Sequence, residues 1–253
     1  MSEFVVAGID LAGVPRRPTG VCLLRGTAAS TTLLFEDQEI LAFVRRGKPD
    51  LVAIDAPLNL PPGRRSIEDR NGAHYRPCDL ELRENKIPFF PITLGPMRGL
   101  TVRGIRLRRR LEKDGFRVVE IYPGGAQDVW QIPRARHDRM ELRRGLLRFG
   151  IRGLGKDISG HELDAATGAL VGLNYLLGKA RIFGDFRSGA ILMPKMGIEP
   201  APLNFSVSPR ATEEPGQFDH LSVAHRSVGE NARGGPAPCP GRQKERWRRR
   251  QNL

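Results

Sequence analysis

Residues 4–9, Phe-Val-Val-Ala-Gly-Ile, form a continuous apolar run closed by Asp10 and punctuated by Gly13. A short apolar run bounded by turn residues predicts a strand buried on both faces. Leu51-Val52-Ala53-Ile54 repeats the design and ends in Asp55, and Phe116-Arg117-Val118-Val119 runs into Glu120. Strands are also predicted at about 20–25 and 31–35, which with the first make an antiparallel meander. Ile40, Leu41, Phe43 and Val44 recur at helical spacing, so a helix is expected over 37–46, stopped by Gly47 and Pro49. After that helix the strand at 51–55 is expected parallel to the first, through a right-handed crossover.

Residues 57–98 are irregular and rich in proline, with a short helix predicted over 78–85. A basic helix fits 99–114, with Leu100, Ile105, Leu107 and Leu111 as apolar contacts among Arg103, Arg106, Arg108, Arg109 and Arg110. A strand at 116–122 ends at Pro123-Gly124-Gly125, and helices are predicted over 134–149 and 159–178. The second of these opens with Ser159-x-x-Glu162, the pattern of a capping box. A hairpin of 180–183 and 189–193 closes the predicted fold, which is α/β: a mixed sheet of a three-strand meander and parallel strands, flanked by helices. From about 198 the apolar periodicity is lost and Pro, Gly, Ser and Arg dominate. Two segments are expected, a folded domain over 1–197 and a disordered basic tail over 198–253.

Composition sharpens this picture in two respects. No apolar run reaches the length that spans a bilayer. The N-terminus has no basic-then-apolar leader, and the three cysteines, Cys22, Cys78 and Cys239, lie far apart. A cytoplasmic protein without disulfides, structural zinc or membrane contact is therefore expected. The net charge is +13; residues 198–253 hold 9 Lys+Arg and 6 Asp+Glu, which leaves net +10 for residues 1–197. A basic folded part points to a polyanionic partner, above all nucleic acid, whose binding weakens as salt rises.

The candidate chemistry lies at the strand ends. Ligands of open α/β sheets bind at the carboxyl ends of the strands, where Asp10, Asp55 and Glu120 are expected. On the late helix His161 and Asp164 are three residues apart and share a face. Ala165, Ala166, Gly168, Ala169 and Gly172 make that helix thin-sided, so Asp164 can approach the strand-end carboxylates. Oxygen-only ligands favour magnesium or manganese. A pair of such ions offsets the repulsion within the cluster and can drive an in-line phosphoryl displacement. The metal ligands expected are Asp10, Asp55, Glu120 and Asp164, with His161 as a ligand or a general acid/base. Arg64 and Arg65 after Asp55, with Arg103, Arg106 and Arg109 on the basic helix, are the expected phosphate contacts.

Gly8-Ile9-Asp10-Leu11-Ala12-Gly13 with Thr19-Gly20, Ile54-Asp55-Ala56-Pro57-Leu58, Arg76-x-Cys78-Asp79, Glu120-x-Tyr122-Pro123 and Leu163-Asp164-Ala165 together resemble the domain of unknown function 429 family. The resemblance spans roughly residues 3–197. It implies an RNase H-like fold and a predicted nuclease activity. More distantly, Asp10, a strand-end carboxylate and His161-x-x-Asp164 are similar to RuvC-type Holliday-junction resolvases. That likeness implies two magnesium ions, phosphodiester hydrolysis and pairing as a homodimer. RNase H-like nucleases carry one carboxylate on the central strand, and here Asp55 and Glu120 compete for that place.

Two alternatives stand beside the nuclease. One is a non-catalytic nucleic-acid-binding protein of the same fold. The other is an ATP-dependent phosphotransferase of the actin and sugar-kinase type, whose phosphate loop also reads Asp-x-x-Gly followed by Thr-Gly. That class needs a second phosphate loop and a second domain, and neither is expected here.

Overall fold

The computed structural model describes residues 3–195. The expected tail at 198–253 lies outside the described residues. Seven strands form one sheet in the order β3-β2-β1-β4-β5-β7-β6. The meander is β1 (Val5–Asp10), β2 (Thr19–Arg25) and β3 (Ala28–Leu34), paired antiparallel. Helix α1 (Asp37–Gly47) crosses to β4 (Leu51–Asp55), which lies parallel to β1. Next to it in the sheet is β5 (Val118–Ile121), also parallel, and then β7 (Gly189–Pro194), parallel to β5. The antiparallel β6 (Ala180–Asp185) forms the far edge. This is the mixed sheet, a three-strand meander followed by parallel strands, expected from the sequence.

Helices α2 (Pro77–Glu84) and α3 (Gly95–Lys113) lie in the long excursion between β4 and β5. Helices α4 (Pro123–Val129), α5 (Arg139–Arg148) and α6 (Gly160–Leu176) follow β5. Two cores cover the two sheet faces. Val6, Ala53, Val119 and Ile121 point to one side, against Leu142, Leu146, Leu163 and Leu170 of α5 and α6. Ala7, Ile9, Val52 and Ile54 point to the other, against Ile40, Leu107 and Leu111 of α1 and α3. The strand interiors are apolar on both faces because helices cover both. Among the described residues no helix is long and apolar enough to cross a membrane.

The sheet and α6 meet at backbone distance. A β-carbon on Gly8 would lie 2.0 Å from the Ala165 carbonyl oxygen, and one on Gly20 would lie 2.0 Å from the His161 carbonyl oxygen. Only glycine on β1 and β2 admits this approach. The first turn of α6 is therefore pressed onto the end of β1, with Ser159 and Glu162 closing a reciprocal capping box at its start.

Three expectations need correction. Pro123-Gly124-Gly125 does follow the end of β5, but it is also the first turn of α4, a helix not expected there. Proline suits the opening turn, where its missing N–H has no partner to lose, and a β-carbon on Gly125 would meet the Tyr122 ring at 2.6 Å. The helix expected over 134–149 starts only at Arg139, because the Asp138 side chain caps it by accepting from the Glu141 amide. Helix α3 begins at Gly95, four residues before the expected start, with Pro96 tolerated in its first turn.

Candidate active site

Asp10 and Asp55 are the last residues of β1 and β4, and they are direct register partners. Partners on parallel neighbours share a face. Both carboxylates therefore rise on the α6 side, each half-buried. Asp164, on the second turn of α6, faces them because Gly8 and Gly20 let that helix down onto the strands. His161, one turn earlier and exposed, meets Asp10 through Nδ1 and Oδ2 at 2.6 Å. Gln127 of α4 is buried and donates from Nε2 to Asp164 Oδ1 at 2.6 Å and to Thr167 Oγ1 at 3.2 Å.

Electrostatics mark out Asp55 and Asp164. Burial pushes the Asp55 carboxyl well above its ordinary range, and the charges of Asp10, Asp164 and Glu120 push further; no hydrogen bond from the described residues offsets them. Asp164 is pushed up to about 6 by burial and by Asp10, against the pull of the Gln127 hydrogen bond and of His161 and Arg134. The hydrogen bond to Asp10 raises the His161 imidazole above its usual value; burial opposes, and the charges of Asp10 and Asp164 add to the rise. Two carboxylates that disfavour their own ionisation, on one face with the Asp10 carboxylate, suit a hard divalent cation. As they stand, however, no three His, Cys, Asp or Glu side chains among the described residues are gathered closely enough to hold an ion.

Glu120 stands apart. Its register partner is Ile54, not Asp55, so it points to the opposite face. There it accepts from Arg76 at 2.6 and 2.8 Å and from the Leu58 amide at 2.8 Å. Arg76 is fully buried and also donates to Asp79, at 3.1 and 2.8 Å. Burial raises the Glu120 pKa while Arg76 pulls it down. The Arg76-x-x-Asp79 and Glu120 motifs thus form one buried ion triad under the strand ends. Of the two carboxylates, Asp55 and not Glu120 shares a sheet face with Asp10.

Arg103 also departs from expectation. It is buried, donating to Asp37 Oδ1 at 2.8 Å and to the Ala12 and Phe35 carbonyls at 2.7 Å each. With Thr19 Oγ1, which accepts from the Ala12 amide at 3.1 Å, it pins the loop after Asp10. A guanidinium so enclosed positions the loop and does not reach solvent phosphates. Arg64 is turned into its own loop, donating to the Ala73 carbonyl at 2.6 Å and to the Asp69 carbonyl. Arg65, Arg106 and Arg109 are exposed.

Sequence reasoning missed Gln127 and Arg134. The second sits beside the Tyr122 hydroxyl at 3.4 Å and pairs with Asp128. Gln127 follows Pro-Gly-Gly, which reads as a turn, so nothing local showed that it sits in a helix facing Asp164.

The profile of a family described as a protein of unknown function, DUF429, matches residues 8–187. The chain belongs to the DUF429 family. All five residues of the candidate catalytic set lie inside the DUF429 span. No curated protein matches the chain. Among solved structures, a Thermus thermophilus RuvC structure is similar, at 14% identity and a TM-score of 0.39, covering 69% of this chain and 97% of that one.

Proposed function

We propose that this DUF429 chain is a divalent-metal-dependent nuclease that hydrolyses phosphodiester bonds at the Asp10, Asp55 and Asp164 edge of the sheet. The observation that carries the reading is the register of Asp10 on Asp55, with Asp164 brought onto the same face by α6. These residues would hold magnesium or manganese, one ion or two. Bound ions would supply activation of an attacking water and neutralisation of charge on the displaced oxygen.

The chain's own groups have separable parts. Gln127 holds Asp164 in one orientation by its amide hydrogen bond. His161, exposed and on Asp10, is placed to take up or release a proton near neutral pH. Arg103 and Thr19 fix the loop that follows Asp10. The partner is nucleic acid, as the net positive charge of the folded part favours.

A non-catalytic nucleic-acid-binding protein is the second reading. It is favoured by the open spacing of the carboxylates and by the His161 contact that occupies one oxygen of Asp10. The phosphotransferase alternative is not carried forward, since the described residues form one sheet and only one of their Asp-x-x-Gly segments, Asp10 to Gly13, closes a strand.

The test is a cleavage screen with labelled single-stranded, duplex and branched DNA and RNA, in magnesium and in manganese. The wild type should cleave at least one substrate class. Asp10→Asn and Asp164→Asn should lose that activity by a factor of a thousand or more. Cleavage undiminished in both variants would reject the site. A wild type that binds nucleic acid and cuts none would transfer the reading to the binding protein.

A further inference from the structure

The outer face of α3 carries charge that no described residue balances. Arg106, Arg109, Arg110 and Lys113 recur at helical spacing on one face, about one turn or 5 Å apart along the axis. All three arginines are exposed. Among the described residues none of the four makes an ion pair or a side-chain hydrogen bond. The acids nearby are engaged elsewhere: Glu112 with Arg108, Glu68 with Arg98, Asp37 with Arg103 and Asp114 with Arg45.

These four cations line a groove of about 490 Å³ between α3 and the loop after β4. Arg65 stands on its other bank, and Ile67 and Ile105 are part of its lining. Its Val102 and Arg106 end adjoins the loop that follows Asp10. Val102 and Arg106 also line a neighbouring cleft that reaches Gly13, and Leu100 shares a cavity with Asp55. From Leu100 to Lys113 the helix runs about 20 Å at 1.5 Å per residue.

We infer that the α3 groove is a track for the phosphate backbone of a nucleic-acid strand whose other end lies at the Asp10–Asp55 edge. A row of cations at regular steps suits a chain of phosphates better than one anion. A concave groove admits a strand and not a flat bilayer. This deepens the nuclease reading by giving its substrate a path, and it is tested by binding alone, so the two can fail separately.

The experiment is fluorescence anisotropy on the full chain with a labelled single-stranded 20-mer, in EDTA, over a range of salt. Arg109→Glu with Arg110→Glu is compared with Arg139→Glu plus Arg148→Glu on α5, which packs on the opposite sheet face and changes net charge equally. The α3 pair should weaken binding at least tenfold, and the α5 pair less than threefold. The neutral pair, Arg109→Gln with Arg110→Gln, should lower the slope of log affinity against log salt by about 1.4, at about 0.7 per lost contact. Equal losses in the α3 and α5 pairs, or none in either, would overturn the track. So would phosphatidylserine vesicles binding with the same sensitivity while the oligonucleotide fails to bind.

Discussion

Gln127 donates its side-chain amide to Asp164 at 2.6 Å and to Thr167 at 3.2 Å, so a residue of α4 orients the carboxylate that α6 brings to the strand ends. Both partners lie on α6, one turn apart, and Gln127 is buried beneath them. Its amide locks the Asp164 rotamer in the same way that outer-shell partners fix metal-binding side chains elsewhere.

Gln127→Leu is therefore expected to lower activity about 10- to 100-fold. Manganese affinity should weaken with it, while the fold loses only about 1–2 kcal/mol. Steady-state kinetics and a manganese titration on the purified variant check this. Unchanged values in both would show that Asp164 needs no such support.

The metal-free protein should become less stable as pH rises from about 4 to about 7. Asp164 is pushed up to about 6 in the folded chain, against an ordinary value of 3.8. Between those values the folded state holds the proton more tightly than the unfolded state does. The slope of stability with pH is then negative, and the penalty is complete once Asp164 ionises. At about 1.4 kcal/mol per pKa unit, and discounted for the partial exposure of Asp164, the penalty is about 2 kcal/mol. The raised carboxyls of Asp55 and Glu120 add in the same direction. Thermal melts in EDTA should show Asp164→Asn more stable than the wild type at pH 8 and about equal to it near pH 4. A wild-type melting point that rises with pH over this window would contradict the assignment.

Arg76 answers two buried carboxylates at once, Glu120 and Asp79. Arg76→Met leaves both without their cation, and breaking a buried pair in this way costs about 3–5 kcal/mol. Glu120→Gln should cost about 1–3 kcal/mol and leave manganese affinity unchanged, because Glu120 faces away from Asp55. Denaturant melts read the first effect and calorimetry the second. A folded Glu120→Gln protein that has lost metal binding would return Glu120 to the site.

The candidate site was legible in the sequence only in part. Asp10 and Asp55 were readable because each closes a local apolar run, and Ser159 with Glu162 because a capping box needs only four residues. Glu120 closes a similar run yet belongs to the other face. Side chains alternate with period two, so a shift of one residue in register exchanges the faces, and register is set by neighbouring strands rather than by the strand itself. Arg103 looked like its neighbours on a basic helix. Its burial depends on Asp37 and on the Ala12 and Phe35 carbonyls, distant in sequence. Helix α4 was hidden because Pro-Gly-Gly is turn chemistry in isolation. In this chain Tyr122 and Met193 leave no space for a larger side chain at Gly125.

Gly8→Ala tests the contact that places α6. The added methyl would lie 2.0 Å from the Ala165 carbonyl oxygen and 2.7 Å from the Ala169 amide nitrogen, both backbone atoms that cannot rotate away. Overpacking of this kind costs about 3 kcal/mol, and the displaced α6 should carry Asp164 away from Asp10. A melting curve and a manganese titration on the variant would report the two losses. A variant as stable as the wild type would show that α6 does not rest on β1 in this way.

The measurement that bears most directly on the account is manganese binding by titration calorimetry, on the wild type and on Asp10→Asn, each alone and with a non-cleavable oligonucleotide. The wild type should bind saturably, more tightly with the oligonucleotide, and Asp10→Asn should lose that binding. Manganese binding of equal strength in the two proteins, or none in the wild type under either condition, would contradict a metal site at Asp10, Asp55 and Asp164.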